Sequence, residues 1–278
     1  MVFGTLGGSR RRKWLPYTCA LLMMLGTSSI LLGFQRIRLQ DLQEENDWRY
    51  PAGADDKTEW TFARLRYDGY YGGGFDRRGG SRWTVDYPKA ERQFVQGVRR
   101  LTRIDAKSIE QVVDPDTDEL FDWPWVYAVE VGSWDFSPDQ AQRMREYLLK
   151  GGFLMVDDFH GTAEWQMFQA GLRKIFPERA IEDLANEDEI FHGLYDLDER
   201  FQVPVVQYVY TGRTFERDGV NPEWRAVRDD NGRVVVAICH NMDLGDAWEW
   251  ADLPEYPERF TSLAYRVGIN YIMYAMTH

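Results

Sequence analysis

The stretch Gly151-Gly152-Phe153-Leu154-Met155-Val156-Asp157-Asp158-Phe159-His160-Gly161 constrains the fold of this chain more than any other. Four apolar residues between a glycine pair and an acidic pair suit a strand covered on both faces. Upstream, Ser137-Pro138-Asp139-Gln140 has the form of a helix start, with serine at the N-cap and glutamine three residues on. That helix turns Met144, Tyr147 and Leu148 inward and stops at Gly151. Downstream, a second helix is predicted over Ala163 to Phe176, with Trp165, Phe168, Leu172 and Ile175 on one stripe. Helix, buried strand and helix in succession form the repeating unit of a parallel sheet clothed in helices.

The alternation extends in both directions. Phe62 to Tyr67 reads as a strand, followed by a Gly/Tyr loop from Asp68 through Gly72-Gly73-Gly74. A helix from Pro88 to Thr102 carries Ala90, Phe94, Val98 and Leu101 on one face, and Trp125 to Val131 is the next strand. Further on, Val203 to Tyr210 and Trp224 to Arg228 read as strands. Asn231-Gly232 is a hairpin turn into Val234 to Cys239. A closing helix faces Phe260, Leu263, Ala264, Val267 and Tyr271 inward. The expected fold is α/β, a three-layer α/β/α sandwich on a mostly parallel sheet, in one domain over 59–278.

Before that domain stands an uncharged run over 14–35, preceded by Arg10-Arg11-Arg12-Lys13. A run of this length spans a bilayer as a helix, and basic residues ahead of it favour a cytoplasmic N-terminus. The expected location is the bacterial inner membrane, single-pass, with the soluble domain on the periplasmic side. The rival reading is a cleaved signal with Gly26-Thr27-Ser28 as its small-residue site, giving a secreted protein. Residues 36–58 are polar and aperiodic, as in a linker. The chain carries a net charge of −12, and every charge ahead of residue 36 is basic, so the body is more acidic still. Such a surface repels phosphate backbones, which excludes nucleic acid as a partner. The inner membrane, envelope proteins and envelope glycans remain.

In a parallel sheet, ligands bind past the carboxyl ends of the strands. Asp157, Asp158, His160 and His240 all follow apolar strands and are the candidate catalytic residues. Asp68, Glu130, Trp134 and Asp243 stand at other predicted tips and are candidate pocket residues. Each also has a structural reading, since an aspartate at a strand–helix junction caps the helix and a lone histidine packs in a core. No organic-cofactor motif is present, for Gly72-Gly73-Gly74 matches neither a P-loop nor a dinucleotide fingerprint. Asp157, Asp158, His160, His240 and Asp243 together have the chemistry of a divalent-metal site, without the spacing of any specific motif. Trp248, Trp250 and Tyr256, beside Asp246 and Glu249, either stack on sugar rings or pack a loop. No nucleophile is evident. Cys239 lies in an apolar strand, and neither it nor Cys19 has metal-ligand spacing.

At Phe62-Ala63-Arg64-Leu65-Arg66-Tyr67, Asp86-Tyr87-Pro88-Lys89-Ala90-Glu91, the Gly151–Gly161 segment, Asp243-Leu244-Gly245-Asp246-Ala247-Trp248-Glu249-Trp250 and the terminal Asn270-Tyr271-Ile272 and Tyr274-Ala275-Met276-Thr277-His278, the chain resembles a bacterial family of unknown function, domain-of-unknown-function 4159. The resemblance implies a class I glutamine amidotransferase-like, flavodoxin-like scaffold. It also implies an N-terminal export or membrane segment, and a link to MoxR-type ATPases and von Willebrand A-type proteins. Amidotransferases place a cysteine at a strand-to-helix elbow, which here is Val156-Asp157-Asp158-Phe159-His160 and holds none. The expected function is therefore a membrane-anchored, noncatalytic binding or assembly module. The alternative is an envelope hydrolase, metal-assisted, that uses Asp157, Asp158, His160 and His240.

Overall fold

Phe153–Asp157 is the central strand of a seven-stranded sheet. The computed structural model describes residue 1, residue 54, residues 56–69 and residues 82–278. The anchor expected over 1–35, nearly all of the linker and the glycine run at 72–74 lie outside the described residues. The strands are β1 (Ala63–Leu65), β2 (Asp68–Gly69), β3 (Gln111–Val113), β4 (Trp125–Val129), β5 (Trp134–Asp135), β6 (Phe153–Asp157), β7 (Glu182–Asp183), β8 (Glu223–Arg228) and β9 (Val234–His240). The helices are α1 (Lys89–Leu101), α2 (Pro138–Leu149), α3 (Gly161–Ile175), the single turn α4 (Tyr208–Thr211), α5 (Leu244–Glu249) and α6 (Glu258–Thr277).

The large sheet runs β3-β1-β4-β6-β9-β8-β7. The first five are parallel, and β8 then pairs antiparallel with β9 and with β7. The fold is thus mixed α/β with a large, mostly parallel sheet. β6 lies between β4 and β9, with Val129 opposite Asp157 and Val156 opposite Ile238. The tails of β6 and β9 therefore leave the same rim of the sheet, as the sequence predicted.

Side-chain alternation divides the core in two. Phe62, Trp125, Tyr127, Phe153 and Met155 pack with α1, α5 and α6 on one face. Leu65, Val126, Leu154, Val156 and Ile238 pack with α2 and α3 on the other. Full burial of each such side chain contributes about 1.5–3 kcal/mol. Local signals hold the frame in register. The Gln140 amide donates to Ser137 Oγ at 3.2 Å, and the Ser137 amide donates back to Gln140 Oε1 at 3.0 Å. Gly151 follows α2 at φ 114°, a conformation only glycine adopts freely.

Three expectations are corrected. Val203 to Tyr210 is not a strand. Pro204 lacks an N–H for a ladder, the Val203 carbonyl accepts from the Asp243 amide at 3.0 Å, and the Val206 amide donates to Asp246 Oδ2 at 2.6 Å. The segment is spent bracing α5. Leu101 is 53% exposed, because α1 ends there before the stripe returns to the core. The strand from Trp125 stops at Val129, where Glu130 turns out at φ 54°. Among the described residues no helix is long and apolar enough to cross a membrane.

Candidate functional site

Four polar residues at the carboxyl rim hold the left-handed backbone that side chains usually avoid: Glu130 after β4 (φ 54°), Asp158 after β6 (φ 50°), Asn241 after β9 (φ 64°) and Asp86 before α1 (φ 63°). Strained positions of this kind gather where a site must be assembled and the surroundings hold it in place. Backbone bonds knit three of the turns together. The Glu130 amide donates to the Asp157 carbonyl at 3.1 Å, Asp158 to Met242 at 3.2 Å and Asn241 to Phe159 at 3.0 Å.

Inside this rim is a buried acidic pocket. Asp157, the last residue of β6, is wholly buried. Its Oδ2 accepts from the Tyr127 hydroxyl at 3.0 Å and from the Leu244 and Gly245 amides at 2.7 and 3.0 Å. Its Oδ1 is sealed and has no hydrogen-bond partner among the described residues. Burial pushes its pKa up to about 7 against the pull of those donors. The Asp158 carboxyl is raised well above the ordinary range by burial and then by Asp157, Glu216 and Asp246. Asp243 caps α5 by accepting from the Asp246 amide at 2.6 Å, and is raised by burial and by Asp158, Asp246 and Asp86. Asp86 is raised by burial, Asp246, Glu249 and Asp158, and its Oδ2 is sealed without a partner among the described residues.

Gly245 permits an approach that a side chain would block. A Cβ there would lie 2.6 Å from Asp86 Oδ2, 3.0 Å from the Tyr127 hydroxyl and 3.4 Å from Asp243 Oδ1. Three sets of side chains bring ligand atoms within 4.8 Å of one another: Asp86/Asp158/Asp243, Asp86/Asp246/Glu249 and Asp158/His160/Glu216. Arg64, a buried cation whose charge acts on Asp86, is bound to Glu91 and to the carbonyls of Trp83 and Val85 at 3.3 Å each. Carboxylates held this close in low dielectric cannot all ionise without a cation among them. The pocket therefore holds shared protons or takes a positive ligand.

The structure gathers Asp157, Asp158 and Asp243, with His160 beside them. His160 Nε2 lies 3.1 Å from Asp158 Oδ1 and 3.7 Å from Glu216 Oε1. Glu130 adjoins the group, paired with Arg82 at 2.5 Å, and its pKa rises to about 8 through burial and then Asp158. His240 stands apart, a correction to its grouping with Asp157 and His160. Its ring lies between Phe159 and Trp165, both centroids at 4.8 Å, on the face covered by α3. Its Nδ1 is 2.9 Å from Glu223 Oε2 and its Nε2 is 3.3 Å from the Gly161 carbonyl. Burial holds its pKa below the usual imidazole value. Trp134, expected in the pocket, is fully buried core: its Nε1 donates to the Phe168 carbonyl at 3.1 Å. Asp68 is exposed on β2, which pairs with β5 in a separate two-stranded sheet. Trp248 packs on Phe94 at 4.3 Å and is fully buried, so the packing reading of that loop holds.

Sequence reasoning missed Asp86, Tyr127 and Glu216, and assigned Asp246 and Glu249 to an aromatic loop. The available signal was the acidic residue in Asp86-Tyr87-Pro88, just ahead of a helix that follows a buried strand.

No curated protein is significantly similar to the chain. A family model described as Domain of unknown function (DUF4159) matches residues 61–276, which takes in every element of the large sheet and both sides of the acidic pocket. The chain belongs to the DUF4159 family.

Proposed function

We propose that this chain is a binding or assembly module, tethered to the bacterial inner membrane with its domain facing the periplasm, which works by holding a ligand at the acidic rim. The observation that carries this reading is the elbow after β6. Asp158 occupies it at φ 50°, where a strand-to-helix nucleophile would sit, and burial raises its carboxyl well above the ordinary range. The elbow Val156-Asp157-Asp158-Phe159-His160 holds no cysteine for the covalent chemistry that an amidotransferase runs there. The described cysteine, Cys239, is packed in β9 and its thiol is pushed well up by burial. The parallel sheet and this elbow are consistent with an amidotransferase-like scaffold whose catalytic position has been refitted. The basic-then-apolar N-terminal pattern supports the tether, and secretion after cleavage is the alternative. Envelope proteins or glycans are the partners that an acidic, exported domain suits, and the family resemblance adds MoxR-type ATPases and von Willebrand A-type proteins.

The second reading is a metal-assisted envelope hydrolase, favoured by the imidazole of His160 between Asp158 and Glu216. One experiment separates the two. The full chain, in detergent, is assayed for turnover of glutamine, glycan fragments and phosphomonoesters, and the membrane-borne chain is used to capture bound proteins after cross-linking. The binding reading expects no turnover, and a stoichiometric partner lost on Asp158→Asn. Turnover that Asp158→Asn abolishes overturns it.

A further inference from the structure

We propose that Asp86, Asp158 and Asp243 hold one hard divalent cation per chain. This rests on the reading of the acidic rim as a ligand site and names the chemical class of its occupant.

Acidic side chains alone do not make a site, and the unpaired oxygens here supply the independent observation. Asp157 is wholly buried, yet its Oδ1 has no hydrogen-bond partner among the described residues. Its other oxygen is fixed on the Leu244 and Gly245 amides, which sets Asp157 beside the converging trio and not within it. Within the trio the bare atom is Asp86 Oδ2, sealed and unpartnered, which stands 2.6 Å from the point where a Gly245 Cβ would lie, with Asp243 Oδ1 3.4 Å from the same point. Leaving buried carboxylate oxygens unmatched costs several kcal/mol each unless a cation or proton meets them. The lack of a side chain at Gly245 is what lets Asp86 Oδ2 come this close to Asp243.

Each neighbouring set has a member whose facing atoms are already engaged, whereas Asp243 is engaged through Oδ1 alone. In Asp86/Asp246/Glu249, Asp246 accepts from the Val206 amide at 2.6 Å through Oδ2 and from Trp250 Nε1 at 3.1 Å through Oδ1. In Asp158/His160/Glu216, the Asp158 oxygen that faces the ring already contacts Nε2 at 3.1 Å. An all-carboxylate set suits Mg²⁺, Ca²⁺ or Mn²⁺ over softer ions.

The test is calorimetric titration of chelator-stripped full chain, in detergent, with Mg²⁺, Ca²⁺ and Mn²⁺ separately. One ion per chain is expected, with affinity falling at least about tenfold on Asp86→Asn and on Asp243→Asn. Glu249→Gln and His160→Gln are expected to leave it within about threefold. If Asp86→Asn fails to fold by near-ultraviolet circular dichroism, Asp243→Asn and Asp158→Asn carry the comparison. No bound ion at millimolar concentration overturns the assignment. So does loss on His160→Gln with retention on Asp243→Asn, which would move the ion to the imidazole set. Failure here leaves turnover and partner capture untouched, whereas failure of the binding-module reading appears as turnover with or without a bound ion.

Discussion

The two sides of one sheet edge treat buried polar groups in opposite ways. On the α3 side, His240 is closed between two aromatic rings with both nitrogens within reach of oxygen partners. On the α5 side of the same rim, Asp86 and Asp157 each keep an oxygen buried and bare. Both positions looked alike in the sequence: a polar residue directly after an apolar strand. What separates a packing residue from a ligand-binding one here is whether its polar atoms are already matched. A satisfied group serves stability, whereas an unsatisfied one costs stability and persists where something else meets it.

The largest expected effect tests the satisfied side. His240→Ala removes a ring from between Phe159 and Trp165 and leaves Glu223 paired with Arg225 alone. The variant should lose about 3 kcal/mol in urea unfolding, through the cavity and the broken bond together. It should leave cation affinity unchanged. A loss under about 1 kcal/mol, or a weakened cation, would mean that the two sides are not separable.

Next is the empty side. Gly245→Ala puts a methyl 2.6 Å from Asp86 Oδ2 and 3.4 Å from Asp243 Oδ1. Alanine is the better helix former by about 1 kcal/mol, but moving the buried Asp86 oxygen aside costs about 1–3 kcal/mol, so the metal-free fold should lose no more than about 2 kcal/mol. Cation affinity should fall about tenfold or more, read by the same titration. Stability lost with affinity kept would show that the space is ordinary packing and not a ligand cradle.

Much of the frame was legible because it is written locally. The Ser137–Gln140 box, Gly151 and the turn at Asn231-Gly232 each fix geometry within a few residues. The runs of β6 and β9 announced a parallel pair, and the pairing holds. What the runs conceal is orientation. A strand apolar on both faces has no period to tell which helix layer its terminal residue meets, so His240 could not be distinguished from Asp157. Asp86 was hidden for a different reason. It reaches the pocket through the connection ahead of α1, and no spacing rule links it to Asp157 or Asp243, far downstream in the chain. Val203 to Tyr210 misled because it is rich in valine and tyrosine, whereas its backbone is engaged by α5 rather than by a neighbouring strand.

The smallest expected effect is on the pH dependence of stability, and the two sides should contribute with opposite sign. Burial lowers the His240 pKa in the folded state, so the unfolded chain binds the extra proton more readily. Its contribution is therefore present above the usual imidazole value and is lost as pH falls through the depressed one. Glu130, beside the acidic pocket, is raised from 4.5 to about 8. Its contribution is present below its unfolded value and is lost as pH rises through about 8. Metal-free chain should accordingly show a melting temperature that declines at both ends, with Glu130→Gln flattening the alkaline limb and His240→Gln the acid one. Arg82 and Glu164 both lie within electrostatic reach of Glu130, one lowering and one raising its pKa, so Arg82→Gln should steepen the alkaline limb that Glu130→Gln removes. An alkaline limb untouched by either substitution would place the titrating charge deeper, on the bare carboxylates themselves, and would make the acidic pocket the sole source of the asymmetry.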